Sequence, residues 1–71
     1  MKWTSGYKHA ENLSFIIDED KNVGFYLYVY DQKGSNTHDY LQDTLDAAQD
    51  DAWEYFGVPI DSWVEIDDRQ P

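Results

Sequence analysis

Carboxylate side chains recur every three or four residues in the second half of the chain. Five of them share this spacing: Asp39, Asp43, Asp46, Asp50 and Glu54. On an α-helix such positions lie on one side, because a turn takes 3.6 residues. Carboxylates grouped in this way can bind a basic protein surface, or they can simply keep a helix face hydrated. Residues 35–68 contain no Lys or Arg to offset them, and both interpretations stay open.

A second group of side chains is aromatic. The strand predicted over residues 23–31 alternates two sets: Phe25, Leu27 and Val29, and Tyr26, Tyr28 and Tyr30. Alternation in a strand places the two sets on opposite faces, so the tyrosines form an aromatic patch on the face away from the helix. An N-terminal arm carrying Trp3 and Tyr7, a second copy of the chain, or another partner or ligand could cover it. A homodimer centred on Tyr28 is the prediction to test first.

Metal binding and catalysis have weaker support. Residues 18–24 offer oxygen ligands at alternate positions, as a calcium loop does. However, Val23 occupies the position of the loop glycine and Val29 that of the bidentate glutamate, so we expect a plain hairpin turn. His9 and His38 are too far apart for a metal-ligand motif, and no carboxylate is expected to be buried enough for general acid catalysis. We predict no metal, no cofactor and no enzymatic activity.

The elements that position these groups follow from periodicity. Alternating apolar residues predict strands at 13–18 and 23–31 joined by a turn, and a short third strand at 63–66. Between them, an apolar stripe predicts a helix that begins after Thr37 as N-cap and ends at Gly57. The stripe comprises Leu41, Leu45, Ala48, Ala52 and Phe56. The predicted fold is α+β, a β-β-α-β domain whose antiparallel three-stranded sheet, in the order 2-1-3, carries one helix on one face.

Length and charge set further limits. The 71 residues predict a single domain, with an N-terminal arm at 1–12, a folded core at 13–66 and a polar tail at 67–71. The net charge of −10 disfavours nucleic acid and anionic membrane surfaces as partners. The chain has no cysteine and no long apolar segment, so we expect a cytoplasmic protein that does not enter a membrane.

Three segments carry a resemblance to known proteins. Residues 24–28, 38–45 and 56–63 read GFYLY, HDYLQDTL and FGVPIDSW. Together they resemble a group of small acidic bacterial proteins of unknown function, over roughly residues 13–66. The resemblance implies the order of strand, helix and helix stop, and it implies no catalytic or binding residues. Several bacterial toxin-immunity proteins are similar in size, charge and βα make-up, which is an analogy of type.

These observations predict a non-enzymatic protein–protein interaction module of the inhibitor or immunity type. Its partner would be a protein with a basic surface, bound by the acidic helix face, and the aromatic sheet face would be a second interface. Two alternatives stay open: a small ligand-binding domain or enzyme that uses the tyrosines, and a homodimeric accessory subunit.

Overall fold

Antiparallel pairing of five strands organises the chain. The computed structural model describes residues 1–66, and the predicted polar tail at 67–71 lies outside the described residues. The elements are β1 (Lys2–Ser5), β2 (Ser14–Asp20), β3 (Gly24–Tyr30), β4 (Asn36–Gln42), α1 (Leu45–Phe56), a 3-10 turn (Ile60–Ser62) and β5 (Trp63–Ile66). The sheet order is β4-β3-β2-β1-β5, and every neighbouring pair is antiparallel. The predicted α+β class with one helix on an antiparallel sheet is confirmed, whereas the prediction of three strands is wrong.

The predicted β2–β3 hairpin is present. Its turn is closed by the backbone N–H of Val23, which donates to the carbonyl of Asp20 at 3.0 Å. The carboxylate of Asp20 also accepts from the backbone N–H of Asn22 at 3.0 Å, which is the usual way that an aspartate stabilises a turn. Gly24 follows with φ +147°, and a β-carbon there would collide with the carbonyl oxygen of Gln42 in β4. A glycine is therefore required where β3 begins.

The first part of the predicted helix is a strand. Residues 36–42 form β4, which joins β3 through a tight loop. In that loop the Asp31 carboxylate accepts from the backbone N–H groups of Lys33 (2.9 Å) and Ser35 (3.0 Å), and Gly34 adopts φ +83°. A short loop with glycine in the left-handed region is a common hairpin connection. Thr37 is consequently a strand residue, and its predicted role as helix N-cap is wrong.

The helix α1 begins seven residues later than predicted. Thr44 is the N-cap, with extended backbone angles and a hydroxyl that accepts from the N–H of Ala47 at 3.1 Å. The predicted stop at Gly57 is confirmed: this residue has φ +73°, and its N–H donates to the carbonyl of Trp53 at 2.9 Å. Leu41, assigned to the apolar stripe of the helix, instead lies on β4 with 47% of its surface exposed.

The N-terminal segment contributes a strand that the sequence did not reveal. Residues 2–5 of the predicted arm form β1, which pairs with β2 on one side and β5 on the other. This insertion overturns the predicted order, in which the last strand would lie directly beside β2. In β1, Trp3 is in register with Ile17 and shares its face.

The core lies between the sheet and α1. Its fully buried members are Phe15, Ile17, Leu27, Val29, Ala48, Ala52 and Val58. The strand residues in this set have the alternation expected of one covered face. Half-buried aromatic residues complete the core at its borders, including Trp3, Tyr7, Phe56 and Trp63. Within residues 1–66, no helix is long and apolar enough to cross a membrane.

Candidate interaction surfaces

The outer side of α1 is acidic. Asp46, Asp50 and Glu54 follow one another at intervals of four residues, and all three are exposed. Asp46 lies in the first turn, where the positive end of the helix dipole favours an anion. Glu54 lies in the last turn, which contains no basic residue, so its charge opposes the dipole. The spacing also makes each neighbouring pair repulsive by roughly 0.2–0.5 kcal/mol.

A tryptophan stands within this acidic surface. The side chain of Trp53 is 56% exposed, and it lies one turn after Asp50 and directly before Glu54. Sequence reasoning about the carboxylates missed it, although its position on the polar side of the apolar stripe was readable from the helical period. Trp is enriched at the centres of protein interfaces because it offers a large apolar area with a polar N–H. We call Asp46, Asp50, Trp53 and Glu54 the acidic helix face.

The other two carboxylates predicted for this face lie elsewhere. Asp43 is exposed in the turn before the N-cap, and Asp39 is exposed on the edge strand β4. Asp39 is in register with Tyr28, so it belongs to the opposite side of the sheet from α1. The structure thus brings three of the five predicted acidic residues together. The helical spacing of Asp39 was coincidental, because residues 36–42 pair with β3 as a strand.

The side of the sheet away from α1 carries the three predicted tyrosines. We call it the open face, and its residues follow from strand register: Lys2, Thr4, Ser14, Ile16, Asp18, Asp20, Tyr26, Tyr28, Tyr30, Asp39, Leu41, Val64 and Ile66. Two cross-strand rows span all five strands. The central row runs Val64, Thr4, Ile16, Tyr28, Asp39, and the next runs Ile66, Lys2, Asp18, Tyr26, Leu41.

The tyrosines contact one another along β3. The rings of Tyr26 and Tyr28 are stacked with centroids 5.5 Å apart, and those of Tyr28 and Tyr30 are tilted at 6.4 Å. Burial among these neighbours raises the pKa of Tyr28 above its ordinary value of 10.0, and the carboxylate of Asp18 adds to the increase. The phenol of Tyr28 is therefore neutral at physiological pH and can both donate and accept a hydrogen bond.

The N-terminal segment does not cover the tyrosines. Trp3 lies on the helix side of the sheet, with its ring centroid 5.8 Å from that of Phe25, and Tyr7 packs against the core. The arm that the sequence offered as a cover is thus used on the other face. Leu41 and Val64, 47% and 61% exposed, extend the apolar surface of the open face toward both sheet edges.

Both histidines contribute to aromatic packing on the helix side. The ring centroid of Phe56 lies 6.2 Å from that of His9 and 5.5 Å from that of His38. The Nδ1 atom of His9 also accepts from the backbone N–H of Glu11 at 3.0 Å. Among residues 1–66, no three His, Asp or Glu side chains converge as a metal site would require. A cavity of about 300 Å³ is lined by the loop at residues 5–9 and by residues 12–14.

Comparison with protein-family models, with curated proteins and with solved structures finds no match to this chain.

Proposed function

We propose that this protein is a non-enzymatic interaction module that binds a basic protein surface stoichiometrically, as inhibitors and immunity proteins do. The exposed Trp53 within the acidic helix face is the observation that carries the proposal. Solvation of a helix needs carboxylates only, whereas an exposed indole in their midst is typical of a binding surface. The negative field would steer a cationic partner, and the indole would supply apolar contact area once the partner has docked.

The cost of this arrangement supports the same function. Asp50 repels both Asp46 and Glu54, and Glu54 opposes the helix dipole. Positive charges on a basic partner would relieve these unfavourable interactions. This relief would contribute favourable free energy to binding. The proposed site of action is the cytoplasm, in keeping with the expectation from the cysteine-free sequence.

A charge-reversal experiment tests the proposal. We expect a variant with Lys at positions 46, 50 and 54 to lose a partner that the wild-type chain captures from a cell extract. A matched control places Lys at three exposed acidic positions away from the helix: Glu11, Asp20 and Glu65. Three such changes add six charges, so both variants move from −10 to −4. Capture should fall at least tenfold for the helix variant only.

Affinity measurements with the purified partner then distinguish specific docking from general electrostatic attraction. We expect Trp53→Ala to weaken binding by about 2 kcal/mol or more, as for other central aromatic residues of interfaces, and the affinity to fall with added salt. Equal capture by the wild-type chain and the helix variant would contradict the proposal. Equal loss in both charge variants would contradict it as well, because net charge alone would then explain binding.

The alternative of a small ligand-binding domain or enzyme has one observation in its favour, the cavity beside residues 5–14. Its lining includes Tyr7, Lys8 and His9, which could contact a small polar ligand. The tyrosines named for this alternative by the sequence lie on the open face of the sheet instead. Small-molecule sites are usually concave and largely apolar. The tyrosines lie on an open sheet face and the cavity has a polar lining, so the interaction module remains the proposal.

A further inference from the structure

The proposed function of the acidic helix face leaves the open face of the sheet unexplained. It combines aromatic and aliphatic side chains with four charged residues: Lys2, Asp18, Asp20 and Asp39. The carboxylate of Asp20 already accepts a hydrogen bond within the β2–β3 turn. Its occupant must therefore offer apolar area, a cation near Asp39 and hydrogen-bond partners for Asp18. The chain itself supplies all three on this same face.

We propose that a second copy of the chain covers the open face. The two sheets would pack face to face about a two-fold axis that runs along the strands between β2 and β3. This interface lies on the opposite side of the molecule from α1, so it is independent of the proposed binding of a basic partner. Each copy would keep its acidic helix face free.

The strand register makes this surface complementary to itself. An axis between β2 and β3 places each residue of β2 above its register partner on β3 of the second copy. The register pairs on this face are Ser14 with Tyr30, Ile16 with Tyr28 and Asp18 with Tyr26. Every tyrosine ring would thus meet a smaller side chain, and no tyrosine would face its own copy. The Tyr26 phenol could donate to the Asp18 carboxylate across the interface.

Charge favours this axis over two alternatives. The same rotation places β1 above β4 of the second copy, so Thr4 would face Asp39 and the ammonium of Lys2 would lie close to that carboxylate. An axis through β2 would instead set Asp18 against Asp18. An in-plane axis across the strands, along the central row, would set Asp39 against Asp39. Burying like charges together is strongly unfavourable. The axis between β2 and β3 avoids both arrangements.

The overlap sets the expected affinity. Four of the five strands would overlap at a spacing of about 4.8 Å. The overlap would be about 23 Å long for β2 and β3 but only about 13 Å where the four-residue β1 meets β4, which gives a flat contact of roughly 350 Å² per copy. A standard interface buries about 800 Å² per partner, so we expect a weak, transient dimer. β5 would lie outside the overlap, which leaves Val64 exposed in the dimer. Aligned sheets cross at about 30°, so pairing is closest at Ile16 and Tyr28.

Sedimentation equilibrium between about 1 and 500 µM tests the dimer. We expect the wild-type mass to double across this range and Tyr28→Glu to raise the Kd at least tenfold, because it would bury a charge at the centre of the interface. Two controls carry the same substitution elsewhere: Val64→Glu lies on the open face but outside the overlap, and Trp53→Glu lies on α1. Both should dimerise as the wild-type chain does. If Tyr28→Glu fails to fold by circular dichroism, Tyr28→Ser replaces it.

Single cysteines test the axis, because the chain has none of its own. We expect Thr4→Cys and Asp39→Cys, mixed and treated with a short bifunctional maleimide, to cross-link to each other far more than either does to itself. A wild-type monomer at 500 µM, or a dimer that survives Tyr28→Glu or Tyr28→Ser, would overturn the proposal. Preferential self-cross-linking of Asp39→Cys would overturn the axis proposed for it.

Discussion

The two faces of the sheet differ in what covers them more than in what they contain. On the helix side, Phe15, Ile17, Leu27 and Val29 are at most 1% exposed. On the open face, the tyrosines of β3 are half-buried, and Val64 is 61% exposed. Aromatic and aliphatic residues occur on both sides. Alternation therefore decides which side chains share a face, while the elements packed on a face decide which of them stabilise the fold.

Neighbouring residues of β3 give the sharpest test of this difference. Leu27 is fully buried under α1, so Leu27→Ala should lower the free energy of unfolding by about 2–5 kcal/mol. Tyr28→Ala should lower it by only about 1 kcal/mol, mainly through lost stacking with Tyr26. Urea denaturation followed by tryptophan fluorescence, below 1 µM protein, would measure both. Equal losses would contradict the distinction between a covered and an open face.

Leu27→Ala and Tyr28→Ala also test whether a second copy covers the open face. Any dimer stabilises the folded chain by mass action, so the urea midpoint of the wild-type chain should rise with protein concentration. Tyr28→Ala should lose that rise, and Leu27→Ala should keep it. The difference in stability between the two variants therefore becomes smaller as the protein concentration increases.

Local periodicity was sufficient for the β2–β3 hairpin and for the division of β3 into two faces. Each strand there has seven residues with regular alternation, and their turn is stabilised by residues close in sequence. The stop at Gly57 was equally local, since the left-handed conformation suits glycine. For these elements, residues close in sequence are sufficient to predict the structure.

β1 and β4 depend on pairing between distant segments. β1 has only four residues, too few to show a period, and its position is fixed by hydrogen bonds to β2 and β5 on both sides. In β4, Leu41 matched the helical stripe, yet pairing with β3 made a strand of this segment. The Asp31–Ser35 loop with Gly34 and the Thr44 N-cap were the local signals that could have separated β4 from α1.

The candidate sites were predictable to the same degree. The tyrosine row follows from alternation alone, and Asp46, Asp50 and Glu54 follow from the period of α1. Asp39 was misplaced together with β4, and this error hid its position on the open face beside Tyr28. Trp53 was missed because carboxylates alone defined the acidic surface. Trp53 is the residue that distinguishes docking from solvation on the acidic helix face, and Asp39 contributes to the charge argument for the dimer axis on the open face.

Substitutions at two threonines distinguish the predicted helix start, with Thr37 as N-cap, from the observed one, with Thr44 as N-cap. Thr44→Ala removes the N-cap of α1, the helix that covers one face, and should cost about 1 kcal/mol, which lowers the midpoint of thermal unfolding by about 4–8 °C. Thr37→Ala lies on the edge strand β4, where the exposed hydroxyl contacts the carbonyl of Val29 at 3.3 Å and Nδ1 of His38 at 3.0 Å, and it should cost about 0.5 kcal/mol or less. A larger loss at Thr37 would favour the helix start predicted from the sequence.

The smallest expected effect concerns the ionisation of Tyr28 on the open face. Its pKa in the folded chain lies above the value of 10.0 that applies after unfolding, first because of burial and then because of Asp18. Below pH 10 both states are protonated, so this residue adds no pH dependence. Above pH 10 the unfolded state loses its proton first, and the free energy of unfolding falls until the folded-state pKa is passed. Alkaline denaturation should therefore be less steep in Tyr28→Phe than in the wild-type chain.

Two variants relate this effect to the open face. Tyr55→Phe removes a tyrosine that is 55% exposed on α1, and it should leave the contribution of Tyr28 to the alkaline profile unchanged. Asp18→Asn should bring the pKa of Tyr28 closer to 10.0, because it removes a negative charge that disfavours the phenolate. Phenolate absorbance in the folded chain would follow this change directly. Coincident alkaline profiles for the wild-type chain and Tyr28→Phe would mean that Tyr28 is as well hydrated in the folded state as in the unfolded one, and the open face would then lack the apolar character that a second copy requires.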